Sequence, residues 1–331
     1  MRPKLLTKTI TQMFKIKRPL CIEGQPGGGK TTLVQDAAKL LNIGYIERNL
    51  PTMLVEDFGI PWPEVDKQTF AHKIPEWFPA EFRTDIPDEG ILCIDDRNQG
   101  GPDLQKVLAN VQQARNLHGV PIKKGWMVIS TGNRQSDRAG AVRILSHLRN
   151  RETVLEFDTH IDDWCEWAFN NNVRSEVIAF LRFRPGLLHE FDPNRDANPT
   201  PRSWVEGVSW VLGTVSPEAE FECFKGAVGE GAAAEFCGFL KIYRELPDPA
   251  SIFLNPKTAD VPKNPSVLYA LSGALANHAS ESNFDSLVQY LERVPAEFAV
   301  LTVTYATKRD QKLATCSGFI KWAVNNQAVL F

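Results

Sequence analysis

The chain has 331 residues, with 40 Asp and Glu against 37 Lys and Arg and a formal net charge of −3. That length exceeds one ordinary hydrophobic core and predicts two or three domains that fold without covalent staples. The near balance of charge points neither toward nor away from nucleic acid. No apolar stretch approaches the roughly 20 residues that span a bilayer, so a soluble protein is expected. Six cysteines (Cys21, Cys93, Cys165, Cys223, Cys237 and Cys316) stand singly. Cys21 and Cys93 fall inside apolar runs, a pattern that fits buried thiols in a reducing cytoplasm better than disulfides or a zinc site.

Residues 1–18 carry Arg2, Lys4, Lys8, Lys15, Lys17 and Arg18 with no acid, while Leu5, Leu6, Ile10, Met13 and Phe14 recur at helical spacing. A basic amphipathic helix docked on the following domain is expected. A transit peptide would leave almost nothing before the next motif. Residues 19–23 form a short apolar run suited to a buried strand, and 32–41 have the apolar spacing of a helix. Between them stand Gly24, Gln25, Pro26, Gly27, Gly28, Gly29, Lys30 and Thr31, a complete G-x-x-x-x-G-K-[ST] phosphate-binding loop. The glycines let backbone N–H groups turn toward phosphates, Lys30 supplies charge for the β/γ-phosphates, and Thr31 offers a hydroxyl to Mg²⁺. Together with Thr32 at the helix start, these residues make an ATP site the expectation, with ATP and Mg²⁺ as its cofactors.

Residues 43–50 read as a second strand. The next stretch holds Pro51, Pro61, Pro63, Pro75, Pro79 and Pro87 and cannot be a long helix. Its aromatics, Trp62, Phe70, Trp77, Phe78 and Phe82, read either as a small core under a long loop or as a gripping loop. Residues 90–96 run through four apolar positions into Asp95 and Asp96, a buried strand delivering two carboxylates to its C-terminal edge. Asp95 suits the Mg²⁺ hydration shell and Asp96 suits the attacking water. A helix over 103–114, a short hairpin around Gly119 and a strand over 126–134 ending in Asn133 and Arg134 follow. Strands alternating with helices predict a parallel sheet covered on both faces, with the ligand at the strand C-termini.

The order of these motifs resembles an AAA+ ATPase, specifically of the MoxR-like branch. The phosphate loop, the Asp95-Asp96 strand, the Asn133 strand, the run Leu148-Arg149-Asn150-Arg151 and the run Pro199-Thr200-Pro201-Arg202-Ser203-Trp204 carry the likeness. It implies that Asn133 is the sensor-1 residue, Arg151 the arginine finger, with Arg149 the alternative, and Arg202 the sensor-2 residue on a helical lid. The catalytic set is then Lys30, Asp96, Asn133 and Arg151. Residues 24–32 and Arg202 hold the nucleotide, and Thr31 and Asp95 the metal. The family usually has Glu at the second acid, and Asp96 is one methylene shorter. Since a misplacement near 1 Å can cost about a hundredfold in rate, hydrolysis rather than binding is where this chain departs from the pattern.

The implied fold is a P-loop three-layer α/β/α domain with a five-stranded parallel sheet over residues 1–160, followed by an all-α lid over 161–245. A linker strap and small helical appendage complete the chain over 246–331. The Pro-rich run 246–265 reads as linker or extended strap. An arginine finger acts on a neighbour's nucleotide, so the resemblance implies a homo-oligomer, a hexameric ring. The implied role is remodelling a protein client alongside a von Willebrand factor A-type partner, with the loop at Trp77 and Phe78 facing the pore or partner. Two other classes stay open. One is a DNA-associated motor or loader using Lys123, Lys124, Arg134, Arg138 and Arg143; the other is a nucleotide-gated interaction module with little turnover.

Overall fold

The apolar run 91–94 lies within the second strand of the five-stranded main sheet, with a parallel neighbour on either side. The protein is described by a computed structural model covering residues 1–64, 67, 69–137, 152–244, 246 and 248–326. It divides into two compact units, Met1–His160 with Phe191–Pro193, and Ile161–Glu190 with Asn194–Phe331.

The first unit begins with α1 (Pro3–Met13), β1 (Leu20–Glu23), α2 (Lys30–Leu41) and β2 (Gly44–Asn49). It continues through β3 (Ile60–Glu64), β4 (Thr69–Lys73), β5 (Glu89–Asp95) and α3 (Pro102–Gln113). Its last elements are β6 (Asn116–Leu117), β7 (Val120–Pro121), β8 (Gly125–Gly132) and β9 (Thr153–Glu156). Five strands form one parallel sheet in the order β2-β5-β8-β1-β9. Side chains alternate between faces along a strand. Ile91 and Cys93 therefore join Leu6, Ile10, Val34 and Ala37 of α1 and α2, while Leu92 and Ile94 join Leu104 and Leu108 of α3. A three-layer α/β/α fold results, with helices on both faces of a parallel sheet. The N-terminal helix buries Leu6 and Ile10 and leaves Leu5 exposed, as a docked amphipathic helix requires.

Trp126 is fully buried, and a Cβ on Gly90 would lie 2.6 Å from its ring, so only glycine fits beside it on the neighbouring strand. Its indole N–H donates to Pro87 O at 2.7 Å.

Two features of the Pro-rich stretch differ from the sequence reading. Ile60–Glu64 and Thr69–Lys73 pair antiparallel, β3 with β4. Pro61 and Pro63 sit two apart, so both can direct their missing N–H to the free edge of a two-stranded ribbon. Trp77 and Phe78 do not present a gripping surface. Phe78 is fully buried, and Trp77 packs edge-on against Phe58 at 5.5 Å with its indole N–H donating to Asp57 O. The small aromatic core is the arrangement found here, and Trp62, Phe70 and Phe82 are the exposed aromatics.

The second unit is helical. It contains α4 (Ile161–Asn170), α5 (Ser175–Phe183), a π-helical segment (Ser203–Ser209), α6 (Pro217–Val228) and α7 (Glu230–Arg244). Then come α8 (Pro249–Leu254), α9 (Pro265–His278), α10 (Phe284–Leu291), α11 (Ala296–Arg309) and α12 (Ser317–Asn325). One core gathers Trp204, Phe180, Phe224, Phe236 and Phe239. A second gathers Leu271, Leu275, Phe284, Tyr290 and Trp322. The run expected to be a linker or strap contains α8, capped by the Asp248 carboxylate on Ala250 N–H, with Ile252 buried in the second core. Among the described residues, no helix is long and apolar enough to cross a membrane.

Candidate functional site

The site grows from the C-terminal ends of β1, β2, β5 and β8. Parallel register sets Asn49 beside Asp95 and Glu23 beside Gly132, so side chains distant in sequence share one edge of the sheet. After β1 the chain turns through the phosphate loop. Gly27 and Gly29 take φ of +70° and +93°, left-handed values that favour glycine, and α2 starts at once with Lys30. A glycine-rich loop running into a helix N-terminus aims backbone N–H groups and the positive end of the helix dipole at the same spot, which suits an anion.

Lys30 is buried. Its ammonium donates to Gly24 O and Gln25 O, both at 2.9 Å, and to Asn133 Oδ1 at 3.0 Å. Asn133 is itself held: its backbone N–H donates to Asn98 Oδ1 at 3.1 Å, and the Asn98 amide donates back to Asn133 O. The Thr31 hydroxyl donates to Asp95 Oδ1 at 2.6 Å, and the Thr131 hydroxyl donates to the same oxygen. A hydroxyl and a carboxylate so placed are hard oxygen donors of the kind Mg²⁺ takes while keeping several waters, so the donor set fits that ion.

Asp96 lies just past the end of β5 with φ +50°, a left-handed conformation that Asp adopts more readily than most residues. Its N–H donates to Thr131 Oγ1 at 3.3 Å, and Asn49 Nδ2 donates to its Oδ2 at 3.5 Å. Lys30, Thr31, Asp95, Asp96 and Asn133 are thus brought together. Gln25, Pro26, Gly27, Gly28 and Gly29 form the loop itself, and Thr32 is exposed on the first turn of α2.

Arg149 and Arg151 fall outside the described residues, as do Arg138 and Arg143. Arg202 belongs to the second unit, exposed at the entry to the π-helical segment, where Thr200 and Ser203 cap each other's backbone N–H groups at 2.8 and 3.1 Å. Trp204 and Val208 of that segment are buried, and Trp210 just after it is exposed. Two cations considered for a nucleic-acid channel are engaged within the first unit. Lys123 donates to Ile86 O at 2.8 Å and Asp88 Oδ1 at 2.9 Å, and Arg134 bonds Phe157 O and Asp158.

Sequence reasoning missed Asn49, Asn98 and Thr131, and with them a buried group around Arg97. Arg97 pairs with Glu152, and with Glu23 at 3.2 Å. Glu23 directly precedes the phosphate loop and Arg97 directly follows the acid pair, which was the available signal. Burial pushes the Cys21 and Cys93 thiols up, so both stay protonated packing groups beside this edge.

Residues 19–151 match the family described as AAA domain (dynein-related subfamily). No curated protein matches the chain. Solved structures similar to it include a protein of Cytophaga hutchinsonii described as a "putative ATPase", at 13% identity, TM-score 0.34, over 92% of this chain and 79% of that one. NtrX from Brucella abortus is similar at 14% identity, TM-score 0.40, over 96% and 67% of the two chains. NtrX from the same organism in complex with ADP is similar at 14% identity, TM-score 0.36, over 98% and 67%.

Proposed function

We propose that the chain is an Mg²⁺-dependent ATPase of the MoxR-like AAA+ type, working as a homo-oligomeric ring that remodels a protein client. The observation that carries this reading is the convergence of three sequence-distant elements on one point. Thr31 lies 2.6 Å from Asp95, and Lys30 lies 3.0 Å from Asn133, at the edge of a parallel sheet. Lys30, with the loop amides, would bind the phosphates; Thr31 and Asp95 would hold the metal. Asp96 would orient and deprotonate the attacking water, and Asn133 would connect the γ-phosphate position to the acid edge. Mg²⁺ bound there supplies charge neutralisation of the phosphates.

The arginine finger, Arg151 or Arg149, would complete the site from a neighbouring subunit, and Arg202 would act from the helical region. A guanidinium in either place offsets charge on the transferred phosphoryl group. The protein client and a von Willebrand factor A-type partner follow from the resemblance alone. They are favoured over a DNA track by the engagement of Lys123 and Arg134 inside the first unit.

The test is phosphate release with Mg²⁺ and ATP. Wild-type protein should turn over, Lys30→Ala should fall to background, and chelating Mg²⁺ should abolish the signal. No turnover by wild-type protein at high concentration removes the enzyme reading. ATP-dependent oligomerisation without phosphate release would instead support a nucleotide-gated module, and stimulation by DNA but by no protein would support the DNA motor.

A further inference from the structure

Behind the acid pair lies a charged cluster that the proposed chemistry does not use. The Arg97 side chain is 1% exposed. One end of its guanidinium donates to Glu152 Oε1, whose side chain is fully buried, and the other to Glu23 Oε1 at 3.2 Å. The second Glu152 oxygen accepts from Gln112 Nε2 at 3.2 Å. Desolvating such ions costs several kcal/mol each, and well-packed apolar side chains of similar volume commonly do as well or better for stability. Stability alone therefore does not account for three ionisable groups at this place.

Their positions in the chain do. Glu23 is the residue before Gly24, where the phosphate loop begins, and Arg97 is the residue after Asp96. Asp96 is held left-handed, at φ +50°, between the end of β5 and Arg97. The turn is closed by Gln99 N–H donating to Asp96 O at 2.8 Å and Arg97 N–H donating to Thr131 O at 2.9 Å. Rotating the turn would drag the guanidinium from two carboxylates, one fully buried and the other 13% exposed.

We infer that Arg97 is a positioning residue whose buried guanidinium clamps the left-handed Asp96 turn and the start of the phosphate loop into one register. The shorter carboxylate of Asp96 is then aimed by its backbone rather than by side-chain length. The kinetic half of this inference rests on the proposed ATPase activity; the structural half does not.

The test uses the full chain with Arg97→Lys and with Glu152→Gln. The second keeps the shape of the cluster and the Arg97–Glu23 pair, so it stands in if the arginine variant fails to fold. In hydrogen exchange without nucleotide, peptides spanning 20–31 and 94–99 should exchange about tenfold faster in either variant, as expected when buried polar partners are lost. Peptides spanning α1 and the 116–121 hairpin should be unchanged. No change at 20–31 and 94–99, or a uniform rise across residues 1–137, overturns the clamp. In turnover assays, kcat should fall about tenfold to a hundredfold while nucleotide Kd stays within about threefold, the signature of a misplaced group rather than a lost binding contact. An unchanged kcat per bound nucleotide overturns the aiming of Asp96. Wild-type protein without turnover would remove the ATPase reading, and the exchange data would then decide the role of Arg97 by themselves.

Discussion

The strand ends of the first unit and the cores of the second bury different kinds of group. Around the phosphate loop the buried side chains include Lys30, Arg97, Asn98, Asn133 and Glu152, each tied by directional bonds. In the second unit the largest buried side chains are rings: Trp204 lies 5.6 Å from Phe236, and Phe180 lies 5.2 to 5.5 Å from Phe236, Trp204 and Phe239. Hydrogen bonds and ion pairs contribute little net stability but specify where atoms sit. Ring packing contributes much stability through area and close contact, with looser demands on exact placement. The first arrangement suits chemistry and the second suits a scaffold, and substitutions should separate the two.

The largest effect on folding is expected in the ring core. Phe180→Ala should cost about 3–5 kcal/mol, read as a lowered unfolding midpoint in guanidinium. A loss below about 1 kcal/mol would mean that the rings are loosely packed and the contrast is false.

At the strand edge the balance should reverse. Asp95→Asn keeps the size of the side chain but weakens the acceptor shared by Thr31 and Thr131. Phosphate release should fall by about 10²–10³, comparable with removing one preorganised electrostatic contact, while the unfolding midpoint moves little. A variant that unfolds easily yet turns over normally when folded would put Asp95 with the scaffold instead.

The smallest effect tests the two hairpins of the first unit. His72 of β4 and His118 of the turn between β6 and β7 stack at 3.8 Å, and burial, with the nearby His72, lowers the His118 pKa. The folded state therefore favours neutral His118. Its contribution is fully present above the unfolded value near 6.5 and is lost as pH falls through that value toward the lower folded one. Proteolytic nicking of the 60–73 hairpin should rise slightly between pH 7.5 and 5.5, and less so in His72→Phe, which keeps a ring and removes one charge. Nicking that is independent of pH would show that the stack does not hold the hairpins.

The legible parts of the chain were those whose signal is local. The glycines and Lys30 of the phosphate loop are contiguous, and the runs at 20–22, 91–94 and 126–129 are apolar on both faces, as a strand covered by helices on both sides must be. The β3–β4 hairpin was hidden because Pro61 and Pro63 mimic a loop. The α8 helix was hidden although Asp248 followed by Pro249 is a proper helix start, because six residues offer too little periodicity. Trp77 and Phe78 carry no sequence mark that separates a buried ring from an exposed one.

The sequence by itself determined a phosphate loop, a strand ending in two carboxylates, and a parallel α/β sheet with helices after it, because each is written in neighbouring residues or in a repeating period. Only the tertiary structure decided that Asn49, Thr131 and Asn98 meet Asp96, Asp95 and Asn133, and that Arg97 joins Glu23 across 74 residues and Glu152 across 55. Strand order and register bring these groups together. That order is set by which apolar faces the helices cover, a property of the whole sheet that no local run of residues contains.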